Sequence, residues 1–386
     1  MDLNVVACPA GSPAVPKPVV AEEHLIIPDS LPPLHPALTT PPASCHPIGR
    51  FWFRAKNRSR RNLSHRQEIS VMTTFSRITL LLAIASAPVL ADPPEVKTVA
   101  FYGESVDREM KYNVILPAEY ASSSDRYPVL YLLHGLTSNY TAWAKMGVPK
   151  FATSYDFIVI MPDVGNTWYV NWADVEDGQK HSWEDFIIKD LITHVDSKYR
   201  TLAFREGRAI NGLSMGGYGA ITLGLRHPDM FCSIGSHSGA LAYAKGQRDS
   251  IEKETPRRGG SRFSSDVPNP AIGIEGFSSP ADRTPKGQPF KTVEDCDAYD
   301  PFKLVLKVPK EQLPHIYLDC GTEDRLIASA REFSKLLIEH DIPFTYAQSP
   351  GAHLPGYWAR EVGQSMGIQG RIVERQTSIK ERQDAQ

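Results

Sequence analysis

Gly212-Leu213-Ser214-Met215-Gly216-Gly217 places a serine in a G-x-S-x-G string, between the apolar run Ala209 to Leu213 and a helix-forming segment, Met215 to Leu225. A serine on such a strand-to-helix turn can attack a carbonyl carbon. The turn is strained, and glycines at 212 and 216 let strand and helix approach while Ser214 Oγ stands above the sheet. The Met215 amide opens the helix, so it points at the oxygen that becomes negative, with the positive end of the helix dipole behind it. A serine hydroxyl is a weak nucleophile near neutral pH and needs a base. With this turn, acid and histidine are expected downstream of the serine. Asp324 closes the loop Asp319-Cys320-Gly321-Thr322-Glu323-Asp324, and His353 closes Ser349-Pro350-Gly351-Ala352-His353, each after an apolar run. His353 is expected to take the Ser214 proton and return it to the leaving group, while Asp324 fixes its tautomer. Asp319 and Glu323 compete as acids, but Asp319 is expected to cap its loop and Glu323 to face solvent.

A second donor for the oxyanion should come from the loop after Val129 to Leu133. There, His134-Gly135-Leu136 turns at a glycine and can aim the Leu136 amide at the oxygen. His134 is expected to be a structural neighbour of that loop. His237, after the strand that follows the elbow, is a candidate for the substrate-pocket rim. No H-E-x-x-H string or clustered His and Cys spacing is present, so neither metal nor cofactor is expected.

These residues need a frame. Val99 with Phe101, and Tyr112 to Leu116, predict two early antiparallel strands. Tyr127 to His134, Phe157 to Met161, Ala209 to Leu213, Phe231 to Ile234, His315 to Leu318 and Phe344 to Ala347 are short apolar runs, as strands buried on both faces require. Ser182 to Tyr199 reads as an amphipathic helix with Ser182 and Asp185 in capping-box spacing. Met215 to Leu225 and Ser329 to Leu337 read as helices, and a short one is expected after Pro355. Strands alternating with helices specify an α/β fold with a mainly parallel sheet and ligands at the carboxyl ends of its strands.

The chain has 386 residues; 42 Lys and Arg against 44 Asp and Glu leave a net charge of -2, which provides no basic field for nucleic acid. Residues 1–71 hold 11 of the 31 Pro and a basic run from Arg54 to Arg66, without helical or strand period, and are expected to be an upstream extension that need not fold. Residues 72–91 read as a secretory signal: Arg77, the apolar run Ile78 to Ala87, then Val89 and Ala91 before Asp92. Cleavage there removes nine cations and five anions, leaving -6, and predicts a secreted or periplasmic protein with no stable membrane insertion. Cys232, Cys296 and Cys320 would remain, an odd number. The folded domain is expected over 92–370, with a Gly, Ser and Pro-rich cap or rim over 245–290 and a polar tail, a solvated helix or frayed end, over 371–386. A monomer or homodimer is expected.

The assembled residues resemble the esterase family that includes S-formylglutathione hydrolase, tributyrin-type acetylesterases, feruloyl esterases and the mycolyltransferase antigens. The likeness runs over residues 96–365 and rests on His134-Gly135-Leu136, Gly212 to Gly217, Asp324 in Gly321-Thr322-Glu323-Asp324, and His353 followed by Tyr357 and Trp358. It implies the α/β-hydrolase fold and cleavage of esters or thioesters through an acyl-enzyme. It also implies that Trp168 and Tyr169, in Pro162 to Trp172, and Trp358 line a pocket for a small ester or an acylated saccharide. Asp319-Cys320-Gly321 departs from the D-Q-G of the glutathione-thioester enzymes, which together with the leader favours an exported short-chain acyl or aryl carboxylesterase. The alternatives are an S-formylglutathione hydrolase-like thioesterase, a feruloyl esterase, an acyltransferase, or a binding protein on a degenerate scaffold. The last would require a missing serine, acid or histidine, or a closed pocket.

Overall fold

The computed structural model describes residues 94–254 and 283–385. The expected leader, the extension before it and residues 255–282 of the insertion lie outside the described residues. In chain order the strands are β1 (Val96–Gly103), β2 (Arg108–Ile115), β3 (Val129–Leu133), β4 (Ile158–Pro162), β5 (Asp174–Val175), β6 (Arg208–Gly212), β7 (Ser233–His237), β8 (Gly287–Gln288), β9 (His315–Gly321) and β10 (Phe344–Ser349). Eight of them form one sheet in the order β1-β2-β4-β3-β6-β7-β9-β10, while β5 and β8 pair separately. The early pair β1 and β2 is antiparallel, β2 joins β4 antiparallel, and every neighbouring pair from β4 to β10 is parallel.

Every residue of β3, β4, β6 and β7 is buried, which explains the continuous apolar runs of β3 and β4; in β6 and β7 the buried polar residues Arg208, Asn211 and His237 have side-chain partners. Alternation divides β3 between two cores. Tyr131 and Leu133 face one cluster with Ile160, Ile210 and Ile234, whereas Leu130 and Leu132 face the other with Val159, Ala209 and Trp358.

The principal helices are α1 (Met215–Arg226), α2 (Tyr243–Glu252), α3 (Ile327–Glu339) and α4 (Pro355–Asp384). The expected helix at 182–199 forms as three contiguous segments, Trp183–Asp185, a π-type Phe186–Leu191 and Ile192–Lys198, burying Phe186, Ile187, Leu191 and Val195. Its expected capping box does not form, because the Asp185 amide donates to Asn171 Oδ1 at 3.2 Å and the Ser182 side chain makes no cap bond.

Two boundaries differ from the sequence reading. The helix after Pro355 is not short: α4 runs unbroken for 30 residues through the expected tail boundary at 371. Gln369 and Val373 are buried, and Thr377 Oγ1 donates to the Glu206 carbonyl at 3.4 Å, so the polar stretch is seated on the domain. The start of the expected cap is likewise regular, since α2 occupies Tyr243–Glu252. No helix among the described residues is long and apolar enough to cross a membrane.

Candidate active site

The carboxyl ends of the parallel strands carry the singled-out residues, where an open α/β sheet exposes its crevice. At the end of β6, Ser214 adopts φ 54 and ψ −114, a region that a side chain makes unfavourable. Such a backbone costs about 1–3 kcal/mol and persists only when its surroundings over-determine it. Here the Ser214 amide donates to the His237 carbonyl at 2.9 Å, Gly216 N donates to Leu213 O at 2.7 Å, and Tyr218 N donates to Ser214 O at 3.1 Å. A Cβ at Gly212 would strike the Gly216 carbonyl, and one at Gly216 would strike the carbonyls of Leu133 and His134. Both glycines are therefore required by close backbone approach.

Ser214 Oγ lies 2.9 Å from His353 Nε2, and His353 Nδ1 lies 2.8 Å from Asp324 Oδ2. Asp324 is fully buried and accepts Leu326 N at 2.8 Å, whereas the His353 side chain keeps 18% of its surface. Burial pushes the Asp324 carboxyl up, but the hydrogen bond and charge of His353, with the Leu326 amide, outweigh it and hold the group below its ordinary range. An ionised Asp324 orders the protons: His353 Nδ1–H donates to the carboxylate, and Nε2 accepts from the Ser214 hydroxyl. The edge of Trp358 stands against the imidazole, with ring centroids 4.9 Å apart at 88°.

The acid and histidine loops are stitched to each other. Thr322 N donates to Ser349 O, Glu323 N donates to Gly351 O, both at 3.0 Å, and Gly351 N donates to the Glu323 carboxylate. Glu323 is thus exposed as expected, yet it braces the histidine loop. Gly351, at φ 151, lies where a Cβ would meet the Tyr357 ring and so permits the bend that delivers His353. Asp319 does not cap its loop. It is buried at the end of β9, with Oδ2 2.5 Å from His237 Nδ1 and accepting Tyr317 OH at 2.9 Å.

The loop after β3 lies against the elbow, for a Cβ on Gly135 would strike the Leu213 side chain and sit 3.4 Å from Ser214 Cβ. Neither the Leu136 amide nor the Met215 amide has a hydrogen-bond acceptor among the described residues. His134 is buried within this loop.

The expected substrate-lining residues fare differently. His237 is not at a rim: it is 0% exposed, with Nε2 2.9 Å from Ser365 Oγ and 3.3 Å from Asn211 Nδ2, because its strand ends inside the sheet beneath α4. Tyr169 is also 0% exposed and donates its hydroxyl to the His134 carbonyl at 2.9 Å; it braces the loop instead of offering a wall. Trp168 is nearly buried, stacked on Tyr243 of α2 with centroids 3.4 Å apart and edge-on to Tyr218. Trp358 is 4% exposed and presents itself to His353. Sequence reasoning missed Tyr243, Asp163 and Arg283. Trp168 and Tyr169 both have positive φ, and their partners Tyr243 and His134 come from distant segments. Cys232, Cys296 and Cys320 are buried, and burial pushes the Cys232 and Cys320 thiols up to about 12.

A mainly parallel sheet with a serine on a strained strand-to-helix turn, followed along the chain by a linked acid and histidine at later strand ends, defines an α/β-hydrolase. Residues 103–359 match the family described as "Putative esterase", and the chain belongs to that family. Esterase Rv1288 of Mycobacterium tuberculosis (strain ATCC 25618 / H37Rv) is 29% identical over 245 residues, covering 63% of this chain and 52% of that protein; the chain thus spans about half the length of this curated relative. The acetyl esterase of Caldicellulosiruptor saccharolyticus is 24% identical over 295 residues, covering 72% of this chain and 99% of that protein. Among solved structures, the substrate-bound fluorophosphonate-binding serine hydrolase FphF of Staphylococcus aureus matches with a TM-score of 0.57 at 23% identity, over 72% of this chain and 99% of that one, a likeness of fold.

Proposed function

We propose that the protein is a serine carboxylesterase that hydrolyses short-chain acyl or aryl esters through an acyl-enzyme. The observation that carries this reading is the unbroken contact from Ser214 Oγ through His353 to Asp324, beside two amides with no acceptor among the described residues. In this mechanism His353 Nε2 removes the Ser214 proton as Oγ bonds to the ester carbon. The carbonyl π electrons move to oxygen, which receives hydrogen bonds from the Leu136 and Met215 amides. Collapse re-forms the carbonyl and expels the alkoxide, which takes the proton from His353. Water then enters, loses a proton to His353, and displaces Ser214 by the same steps in reverse. Asp324 stabilises the imidazolium formed each time. Each amide is worth about 3–4 kcal/mol at the transition state.

Small acyl groups are favoured by the likeness to an acetyl esterase. The same acyl-enzyme serves a thioesterase, a feruloyl esterase or an acyltransferase, so the decisive assay follows product partition as well as rate. Purified protein is expected to hydrolyse an aryl acetate, to be labelled by a phosphonate at Ser214, and to pass little acyl group to added sugars or thiols. Normal turnover by Ser214→Ala would end the esterase reading; dominant transfer to an added acceptor would replace hydrolysis with acyl transfer.

We also propose export, on the leader pattern at 72–91. A mature N-terminus at Asp92 is the expected result of sequencing the natural protein; a chain that retains Met1 would overturn it.

A further inference from the structure

Leu136 N–H is one end of a peptide plane whose other end is the Gly135 carbonyl. A planar trans peptide points its N–H and C=O in opposite directions, so whatever fixes the Gly135 oxygen also aims the Leu136 amide. Two donors fix it: His134 Nδ1 at 2.8 Å and Ser138 N at 3.2 Å. The preceding peptide is pinned as well, since Tyr169 OH donates to the His134 carbonyl at 2.9 Å.

The imidazole that makes the shorter bond is itself immobile. It is 1% exposed, its Nε2 accepts Val164 N at 3.2 Å, and Asp163 Oδ1 lies 3.5 Å from the same nitrogen. Arg283 pairs with Asp163 and also donates to the Ser138 carbonyl at 2.5 Å, closing a loop of contacts around the turn. Because Nδ1 faces a carbonyl oxygen it must carry a proton. With Nδ1 donating to the carbonyl and Nε2 accepting from Val164 N–H, both ring nitrogens are used by the Nδ1–H neutral tautomer.

We infer that His134 is a positioning residue, aiming the Leu136 amide at the oxyanion by holding the far end of the same peptide. This role rests on the ester-hydrolase reading above. Without the imidazole donor, the Gly135 carbonyl keeps only the longer Ser138 bond, and the amide loses alignment where charge develops. Since an oxyanion contact is stronger in the transition state than in the ground state, the loss falls on kcat and spares KM.

The test compares His134→Leu with His134→Asn, whose Nδ2 takes the place of Nδ1, on an aryl ester and its thionoester counterpart. Sulfur is a poor hydrogen-bond acceptor, so the thionoester reads the proton relay with little help from the amides. The expected result is about a tenfold fall in kcat on the oxygen ester for His134→Leu, with KM and the thionoester rate little changed and most of the loss recovered in His134→Asn. Full kcat in His134→Leu, an equal loss on both esters, or no recovery in His134→Asn would overturn the role. If His134→Leu does not fold, the same-shaped pair His134→Asn and His134→Asp carries the contrast, because a carboxylate there repels the Gly135 oxygen; equal kcat in that pair would also overturn it. Ser214→Ala separates the two readings: activity there ends the hydrolase assignment, whereas an inactive Ser214→Ala beside an unimpaired His134→Leu ends only the positioning role.

Discussion

Among the described residues there are two Ser-His-Asp constellations. In one, Ser214, His353 and Asp324 are linked at 2.9 and 2.8 Å. In the other, Ser365 Oγ lies 2.9 Å from His237 Nε2, whose Nδ1 lies 2.5 Å from Asp319 Oδ2. The contacts are alike and the surroundings are opposite. Ser365, His237 and Asp319 are all buried, and Ser365 Oγ lies in the middle of α4, 3.1 Å from Asn211 Nδ2 and donating to the Val362 carbonyl at 2.9 Å. Ser214 stands on a strained turn, partly open, beside amides that have no acceptor among the described residues. Residue identity and spacing do not make a nucleophile; access, a strained presentation and waiting donors do. The buried set fastens α4 to β6, β7 and β9, the elements that lead to the open one.

The sharpest break between the two sets is serine removal. Ser214→Ala is expected to lower kcat/KM by at least about 10⁴-fold and abolish phosphonate labelling. Ser365→Ala is expected to keep activity within about threefold while lowering stability by about 1–3 kcal/mol, because buried donors lose their acceptor. Mass mapping of the label and thermal melts of both variants check this. The acids follow. Asp324→Asn should reduce kcat by about 10⁴-fold by fixing the wrong tautomer. Asp319→Asn should destabilise by about 1–3 kcal/mol, because a buried carboxylate that accepts from Tyr317 OH and meets His237 Nδ1 is replaced by a group that cannot serve both, while the folded fraction keeps its specific activity. Steady-state kinetics normalised by active-site titration separate these outcomes.

Acid should expose a further difference. Asp324 is held below its ordinary value, and Glu184, although burial opposes it, is brought to about 2 by hydrogen bonds from His227, Arg226 and Tyr299. A depressed carboxyl contributes stability that is complete above its unfolded value and is lost as pH falls through the folded one. Melting temperature should therefore decline from about pH 4.5 toward about 2, and Glu184→Gln should flatten that decline. The smallest effect concerns the oxyanion side, which the buried set lacks. Tyr169→Phe removes one hydroxyl from the His134 carbonyl and should lower kcat a few-fold, about 0.5–1.5 kcal/mol, with KM unchanged.

The elbow was legible because its glycines, serine and flanking strand and helix are contiguous, and the order of later strand-end loops then singled out Asp324 and His353. The sheet was legible for a related reason: strands buried on both faces cannot disguise their composition. What failed depended on distant partners. The resemblance implies Tyr169 as a pocket residue and the position of His237 after the strand that follows the elbow suggests a rim, but each side chain is held by an element far away in sequence, the loop after β3 and α4 respectively. The Ser182 cap was displaced by Asn171, a competitor that local spacing cannot reveal. The length of α4 was hidden because its last turns are polar, with Val373 among the few apolar residues to mark the buried side.

The cross-stitching of the Asp324 and His353 loops has an engineering consequence. Acid and base travel as one rigid cassette, held by backbone bonds that ignore most side chains around them. Substitutions elsewhere that leave those backbone bonds in place are therefore expected to keep the two side chains in register, so the pair tolerates redesign of its surroundings better than side chains on separate, unlinked loops would.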